Sequence, residues 1–106
     1  MDSSSNPQPA DDSQTGDQAI SRSAMIANRR GLHARAAAKF VKLAGQFNAQ
    51  IVVSKRGMEV SGLSIMGLMM LAAGPGCTIE MKGVGDDAAR ALQALVDLID
   101  SKFDED

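Results

Sequence analysis

The chain has 106 residues, is 44% hydrophobic and 23% charged, and carries a formal net charge of −2, with Phe40, Phe47 and Phe103 as its three aromatic residues and no Trp or Tyr. A chain this short holds one domain and buries only about 60 to 65% of its unfolded surface, which excludes a multidomain enzyme and predicts a thin core with no deep substrate cavity. A single cysteine, Cys77, cannot close an internal disulfide, and with one histidine it is too little for a zinc site, so neither a metal nor a cofactor is expected.

Residues 1–18 combine Ser, Asn, Pro, Gln and Gly with four acids and almost nothing to bury, which predicts a disordered acidic tail ahead of a folded unit over 19–106. From Ala19 a short strand runs to Met25 and Ile26, and Asn28-Arg29-Arg30-Gly31 is a turn cluster leading to His33. Ala37, Phe40, Val41, Ala44 and Phe47 recur at helical spacing with Lys39, Lys42 and Gln46 opposite, which predicts a helix whose first turn lies near His33 to Ala36. Ile51-Val52-Val53 and Met58-Glu59-Val60 flank Lys55-Arg56-Gly57 as a hairpin. A second, short helix is predicted from Ser64, a good N-cap, to Met70. Cys77, Ile79 and Met81 alternate with Thr78, Glu80 and Lys82 as a half-buried strand. Asp86 then caps a last helix with the stripe Ala89, Leu92, Leu95, Val96, Ile99 and Phe103. The order βαββαβα suits an α+β domain, an antiparallel or mixed four-stranded sheet with three helices on one face.

Charge is segregated. Eight basic residues (Arg22, Arg29, Arg30, Arg35, Lys39, Lys42, Lys55, Arg56) stand between positions 22 and 56 without an acid, whereas seven acids follow from Asp86 against Arg90 and Lys102. The block is either solvated charge or a positive face for an acidic partner or phosphorylated group. The acidic last helix and the lack of Tyr and Trp argue against nucleic acid. The longest apolar run, Ile65 to Ala73, is half the roughly 18 residues that span a bilayer, and Met1 to Asn6 lack a signal peptide's basic and apolar segments. A reducing, cytoplasmic setting without membrane insertion is therefore expected.

Three constellations carry possible chemistry. Gly83-Val84-Gly85-Asp86-Asp87-Ala88 has the G-x-G-x-x-A form of a dinucleotide fingerprint, but Asp86 and Asp87 stand where a pyrophosphate would approach, and too little chain follows for a doubly wound sheet. A turn and an Asp-capped helix remain the plain reading. In Gly31-Leu32-His33-Ala34-Arg35, His33 opens a helix, where the positive helix end disfavours imidazolium and keeps a neutral, nucleophilic nitrogen. A phosphoryl group on that ring would meet the free N–H groups of the first turn and the permanently charged Arg35, while Gly31 lets the backbone turn tightly before it. The alternative is a histidine that only caps the helix or lies solvated. Third, Ser64, Leu68 and Leu71 share one side of the short helix while Ile65, Met66 and Met69 spread over the other, forming either an adaptable docking patch or core filler.

Gly31-Leu32-His33-Ala34-Arg35 followed by Ala37-Ala38-Lys39-Phe40-Val41, together with Ser64-Ile65-Met66-Gly67-Leu68-Met69, resembles the histidine-containing phosphocarrier (HPr) family of the bacterial phosphotransferase system, its nitrogen-related NPr variant included. The resemblance covers about residues 20–102. It implies an open-faced β-sandwich, a four-stranded antiparallel sheet covered on one face by three helices. It implies that His33 accepts a phosphoryl group on Nδ1 from enzyme I, charged by phosphoenolpyruvate, and passes it to a histidine of an enzyme IIA protein. Arg35 would neutralise charge in transfer, and Ile65, Met66 and Met69 would dock partners. Ser64 would be the target of HPr kinase/phosphorylase, and the chain would act as a monomeric carrier rather than a stand-alone enzyme. The same fold also serves as a regulatory module acting by phosphorylation-dependent binding. Many members carry proline after the active-site arginine, where this chain has Ala36.

Overall fold

The computed structural model describes residues 19–105; the acidic stretch 1–18 lies outside the described residues. Strand β1 (Ile20–Met25) is followed by helix α1 (Ala34–Ala44), strands β2 (Gln50–Lys55) and β3 (Met58–Ser61), helix α2 (Ile65–Met70), strand β4 (Thr78–Val84) and helix α3 (Ala88–Asp100), with a short turn at Lys102–Asp104. The four strands form one sheet in the order β1-β4-β2-β3, every pair antiparallel. Central β4 pairs Met81 with Arg22 on one side and Val53 on the other. The expected βαββαβα order and the antiparallel two-layer architecture both hold.

Alternation decides the faces. Ile51 and Val53 of β2 and Ile79 and Met81 of β4 point into one core with Phe40, Leu68, Leu92, Leu95 and Ile99 from the helices. Val52, Glu80 and Lys82 turn to solvent on the other face. The hairpin turns as expected, through Arg56 at φ 52° and Gly57 at φ 85°.

Four local expectations are corrected. Helix α1 stops at Ala44, so the half-buried Phe47 sits beyond it and packs from the following turn. Lys39 does not belong to a purely solvated face: it is half-buried, and its Nζ donates to the Phe103 carbonyl at 2.6 Å. Asp87, not Asp86, is the N-cap of α3, and its carboxylate caps nothing in that helix. Instead Asp87 Oδ2 accepts the Asn48 N–H at 2.8 Å while the Asp87 N–H donates to the Asn48 carbonyl at 3.1 Å. That reciprocal pair gives the glycine-rich turn a structural task. Finally, Ala88 and Ala91 replace Ala89 in the buried stripe, and Phe103 leaves the helix altogether. Lys102, Phe103 and Asp104 all take positive φ, 59°, 56° and 60°, so the chain reverses and drives the fully buried Phe103 ring back into the core. Each such residue costs roughly 1 to 2 kcal/mol relative to a right-handed conformation, which burying an aromatic ring offsets.

The loop before α1 is fixed by one close approach. Gly31 has φ 63°, and a Cβ there would stand 2.4 Å from the Ala73 carbonyl oxygen and 2.8 Å from Gly74 Cα. Leu32 N–H donates to that same carbonyl at 2.9 Å. Gly31→Ala is therefore expected to lower stability by about 2 to 4 kcal/mol, strain and backbone clash together. Urea unfolding checks this; a loss under about 0.5 kcal/mol would show that the loop has another way to pack.

Candidate functional site

His33 occupies the N-cap of α1 in extended backbone conformation (φ −75°, ψ 179°) without capping the helix through its side chain. The cap alternative is thus set aside. Its carbonyl accepts the Ala37 N–H at 2.8 Å, which leaves the N–H groups of Ala34, Arg35 and Ala36 without partners inside the helix. These donors, aligned with the positive end of α1, are what an anion would meet there.

The ring is tied down from the far end of the chain. His33 Nε2 lies 2.9 Å from Oε1 and 3.1 Å from Oε2 of Glu105, 72 positions away. Glu105 Oε1 also accepts from Asn28 Nδ2 at 3.0 Å, and the same amide nitrogen donates to the Gly31 carbonyl at 2.9 Å. Asn28 is fully buried, so one amide fixes both the Gly31 loop and the carboxylate. The Glu105 carboxyl is held below its ordinary value of 4.5, chiefly by the hydrogen bond from His33 and against the effect of desolvation, with Asn28 adding to it. An ionised carboxylate only accepts, so the proton of the contact belongs to Nε2 and the remaining ring nitrogen is Nδ1. Both contacts of the ring with Glu105 run through Nε2.

Arg35 stands exposed at the second position of α1, in the turn that His33 opens. The ring faces a shallow depression of about 310 Å³ lined by Arg30, Leu32, His33, Met69, Ala72, Ala73 and Gly74. Met69 joins this depression to the surface of α2, where Ile65 (39% exposed), Met66 (70%) and Met70 (65%) stand out beside Leu63 (57%). Leu68 and Leu71 are buried instead. The division of α2 into two sides is therefore as expected, and its methionines are surface, not filler. Ser64 is the N-cap of α2, its Oγ accepting the Gly67 N–H at 2.9 Å. Lys55 Nζ donates to the Leu71 and Ala72 carbonyls at 3.0 and 3.1 Å, closing the other end of that helix.

Sequence reasoning singles out His33, Arg35, Ser64, Ile65, Met66 and Met69, and the structure adds Glu105 and Asn28 beside the ring and Arg30 and Met70 on the neighbouring surface. The acids at the chain end are the one available signal for Glu105, and no local spacing rule connects positions 33 and 105.

Known proteins share this sequence pattern and fold. Residues 20–101 match the family model described as the phosphotransferase-system HPr component phosphorylation site. The chain is 49% identical over 86 residues to a phosphocarrier protein HPr of Neisseria meningitidis, covering 81% of this chain and 97% of that one. It is 45% identical over 86 residues to a phosphocarrier protein NPr of Shewanella violacea, covering 81% and 94%. The crystal structure of HPr-C-His from Thermoanaerobacter tengcongensis superposes with a TM-score of 0.79 at 45% identity, over 82% of this chain and 98% of that one. Among the described residues no helix is long and apolar enough to cross a membrane.

The lowered Glu105 titration has a sign that can be checked. Its folded value lies below the unfolded one, so its stabilising effect is fully present above 4.5 and fades as the pH falls through the lowered value. His33→Ala removes the largest cause, and the Glu105 carboxyl, followed by carbon-13 NMR titration, is expected to move up toward 4.5. An unmoved Glu105 titration in that variant would show that the His33 contact does not form in solution.

Proposed function

The chain belongs to the HPr family of phosphotransferase-system phosphocarriers, and from that premise we propose that it relays a phosphoryl group from phosphorylated enzyme I, itself charged by phosphoenolpyruvate, through His33 to a histidine of an enzyme IIA protein. The observation that carries this reading is the Glu105 contact on Nε2, which leaves the Nδ1 lone pair available beside the open first turn of α1. That lone pair attacks phosphorus, the bond from phosphorus to the donor breaks, and its electrons stay with the donor. Passage to enzyme IIA repeats the step with His33 as the leaving group. The Ala34, Arg35 and Ala36 N–H groups and the Arg35 guanidinium supply charge stabilisation to the phosphoryl oxygens, and the protein–protein contact supplies in-line positioning.

Ile65, Met66 and Met69 extend the surface around His33 and serve as the apolar contact for both partners. Ser64 is assigned as the regulatory site, phosphorylated by HPr kinase/phosphorylase. A phosphate there is compatible with the N-terminus of α2 but sets a hydrated dianion at the edge of the apolar surface. We assign the activity to the unit 19–106, working as a monomer in the cytoplasm.

Incubation with phosphoenolpyruvate, Mg²⁺ and enzyme I is expected to add one acid-labile phosphate, detected by intact mass, and His33→Ala is expected to add none while staying folded. An acid-stable adduct, or one that survives His33→Ala, would place the phosphate elsewhere and overturn the assignment. Absence of any adduct with an enzyme I proven on another carrier would favour a regulatory module of the same fold. For the docking surface, Ser64→Asp is expected to weaken enzyme I binding about tenfold, roughly 1.4 kcal/mol, by calorimetry; unchanged affinity would remove Ser64 from that interface.

A further inference from the structure

Glu105 reaches His33 only because the chain after α3 runs through three consecutive left-handed residues, Lys102, Phe103 and Asp104. None is glycine, and such a run does not persist unless its surroundings hold it. Besides the turn's own backbone bonds, Asp104 N–H to the Ser101 carbonyl at 3.0 Å and Glu105 N–H to the Lys102 carbonyl at 3.1 Å, two holds come from the rest of the fold. The Phe103 ring is fully buried in the core, and the Phe103 carbonyl accepts a hydrogen bond of 2.6 Å from Lys39 Nζ. The ring fixes where the turn sits, and the peptide that follows it is held at its N–H end by the Ser101 carbonyl. The carbonyl is the other end of that peptide, so Lys39 completes the hold on its orientation and hence on the direction in which Asp104 and Glu105 leave the turn. Lys39 lies on α1, the helix that His33 opens. The carboxylate and its restraint are therefore both referred to one rigid element, six residues apart along it.

We infer that Lys39 is a positioning residue for phosphoryl transfer: by holding the Phe103 carbonyl it sets Glu105 on Nε2 of His33 and so keeps Nδ1 as the unprotonated, reactive nitrogen. It touches neither the ring nor the transferred group. Its direct charge on Glu105 is the smallest of the influences that lower that carboxyl, behind His33 and Asn28, so it acts mainly through the backbone it grips. This rests on the reading of His33 as phosphoryl acceptor, and it assigns Lys39 a task distinct from the exposed Arg35 one turn earlier on the helix.

The test compares Lys39→Met, which keeps the packed stem and removes the donor, with Lys39→Arg, which restores one. The first readout is nitrogen-15 NMR of the His33 ring in the unphosphorylated protein. Wild type and Lys39→Arg are expected to show Nε2–H as the dominant tautomer, and Lys39→Met a mixture of the two tautomers. The other readout is phosphoryl acceptance from enzyme I, where Lys39→Met is expected to lower kcat about three- to tenfold with KM for enzyme I unchanged. A ring tautomer and kcat in Lys39→Met equal to wild type would overturn the inference. So would a loss seen in KM alone, which marks Lys39 as a docking charge. Failure of the wild-type chain to accept phosphate would instead sink the carrier reading, a result that the ring tautomer does not affect. Should Lys39→Met lose its fold, the comparison is made in a Lys102→Gly background, where φ 59° costs nothing: the folded double variant is expected to show the tautomer mixture, and a dominant Nε2–H tautomer with undiminished kcat there would overturn the inference.

Discussion

The backbone of Gly31 lies so close against the Ala73 carbonyl that no side chain fits between them, and this contact unites the site. It joins two segments far apart in sequence: the loop that presents His33 and the turn that leaves α2. Through the loop, it sets where α1 begins and which N–H groups are left open. Through the turn, it sets the methionine surface beside the ring, with Lys55 holding the Leu71 and Ala72 carbonyls from β2. A phosphoryl carrier has to offer one reactive atom and one adaptable surface to several partners. Here the two are held in register by backbone packing, which does not vary with side-chain rotamer.

Electrostatics in the site work by division of tasks across the imidazole. One nitrogen faces Glu105 and Asn28, in a part-buried cluster that fixes the proton. The other, Nδ1, takes no part in the contact with Glu105. A carboxylate beside an acceptor of a doubly negative group would be adverse in most positions, but this one sits on Nε2, and on the proposed reading the phosphoryl group would go to Nδ1, across the ring from it. From there it would orient the ring without occupying the space that phosphoryl oxygens on Nδ1 would need.

Much of this is legible in the sequence, and the unread part has a common cause. Helical period finds α1 and α3, alternation finds β4, and Ser64 announces α2, because each rests on neighbours a few residues apart. His33 and Arg35 are singled out for the same reason, as a local pattern at a helix start. Glu105 and Lys39 are invisible to such reasoning. Glu105 reaches its partner only through a left-handed turn of three ordinary residues, and Lys39 has the helical spacing of a solvated lysine although its ammonium is spent on a carbonyl 64 positions away. Asp87 escapes a local reading in a related way: its nearest use is a helix cap, yet the backbone of Asn48, brought beside it by the sheet, claims the carboxylate.

Ala36 shows how little separates a structural residue from a functional one here. It is fully buried at the third position of α1, so its methyl group belongs to the core. The proline that the family resemblance leads one to expect at this place would fix φ for the helix but remove an N–H. Alanine keeps that N–H, in the same turn as those of Ala34 and Arg35. The first turn of this chain thus offers three consecutive donors where a proline would leave two, and the lost preorganisation falls on a helix already anchored by Ala37 and Phe40 in the core. Because the rigidity of the turn comes from packing and from the Gly31 contact, the extra donor is gained at little cost in order, and it lies where negative charge would accumulate during transfer.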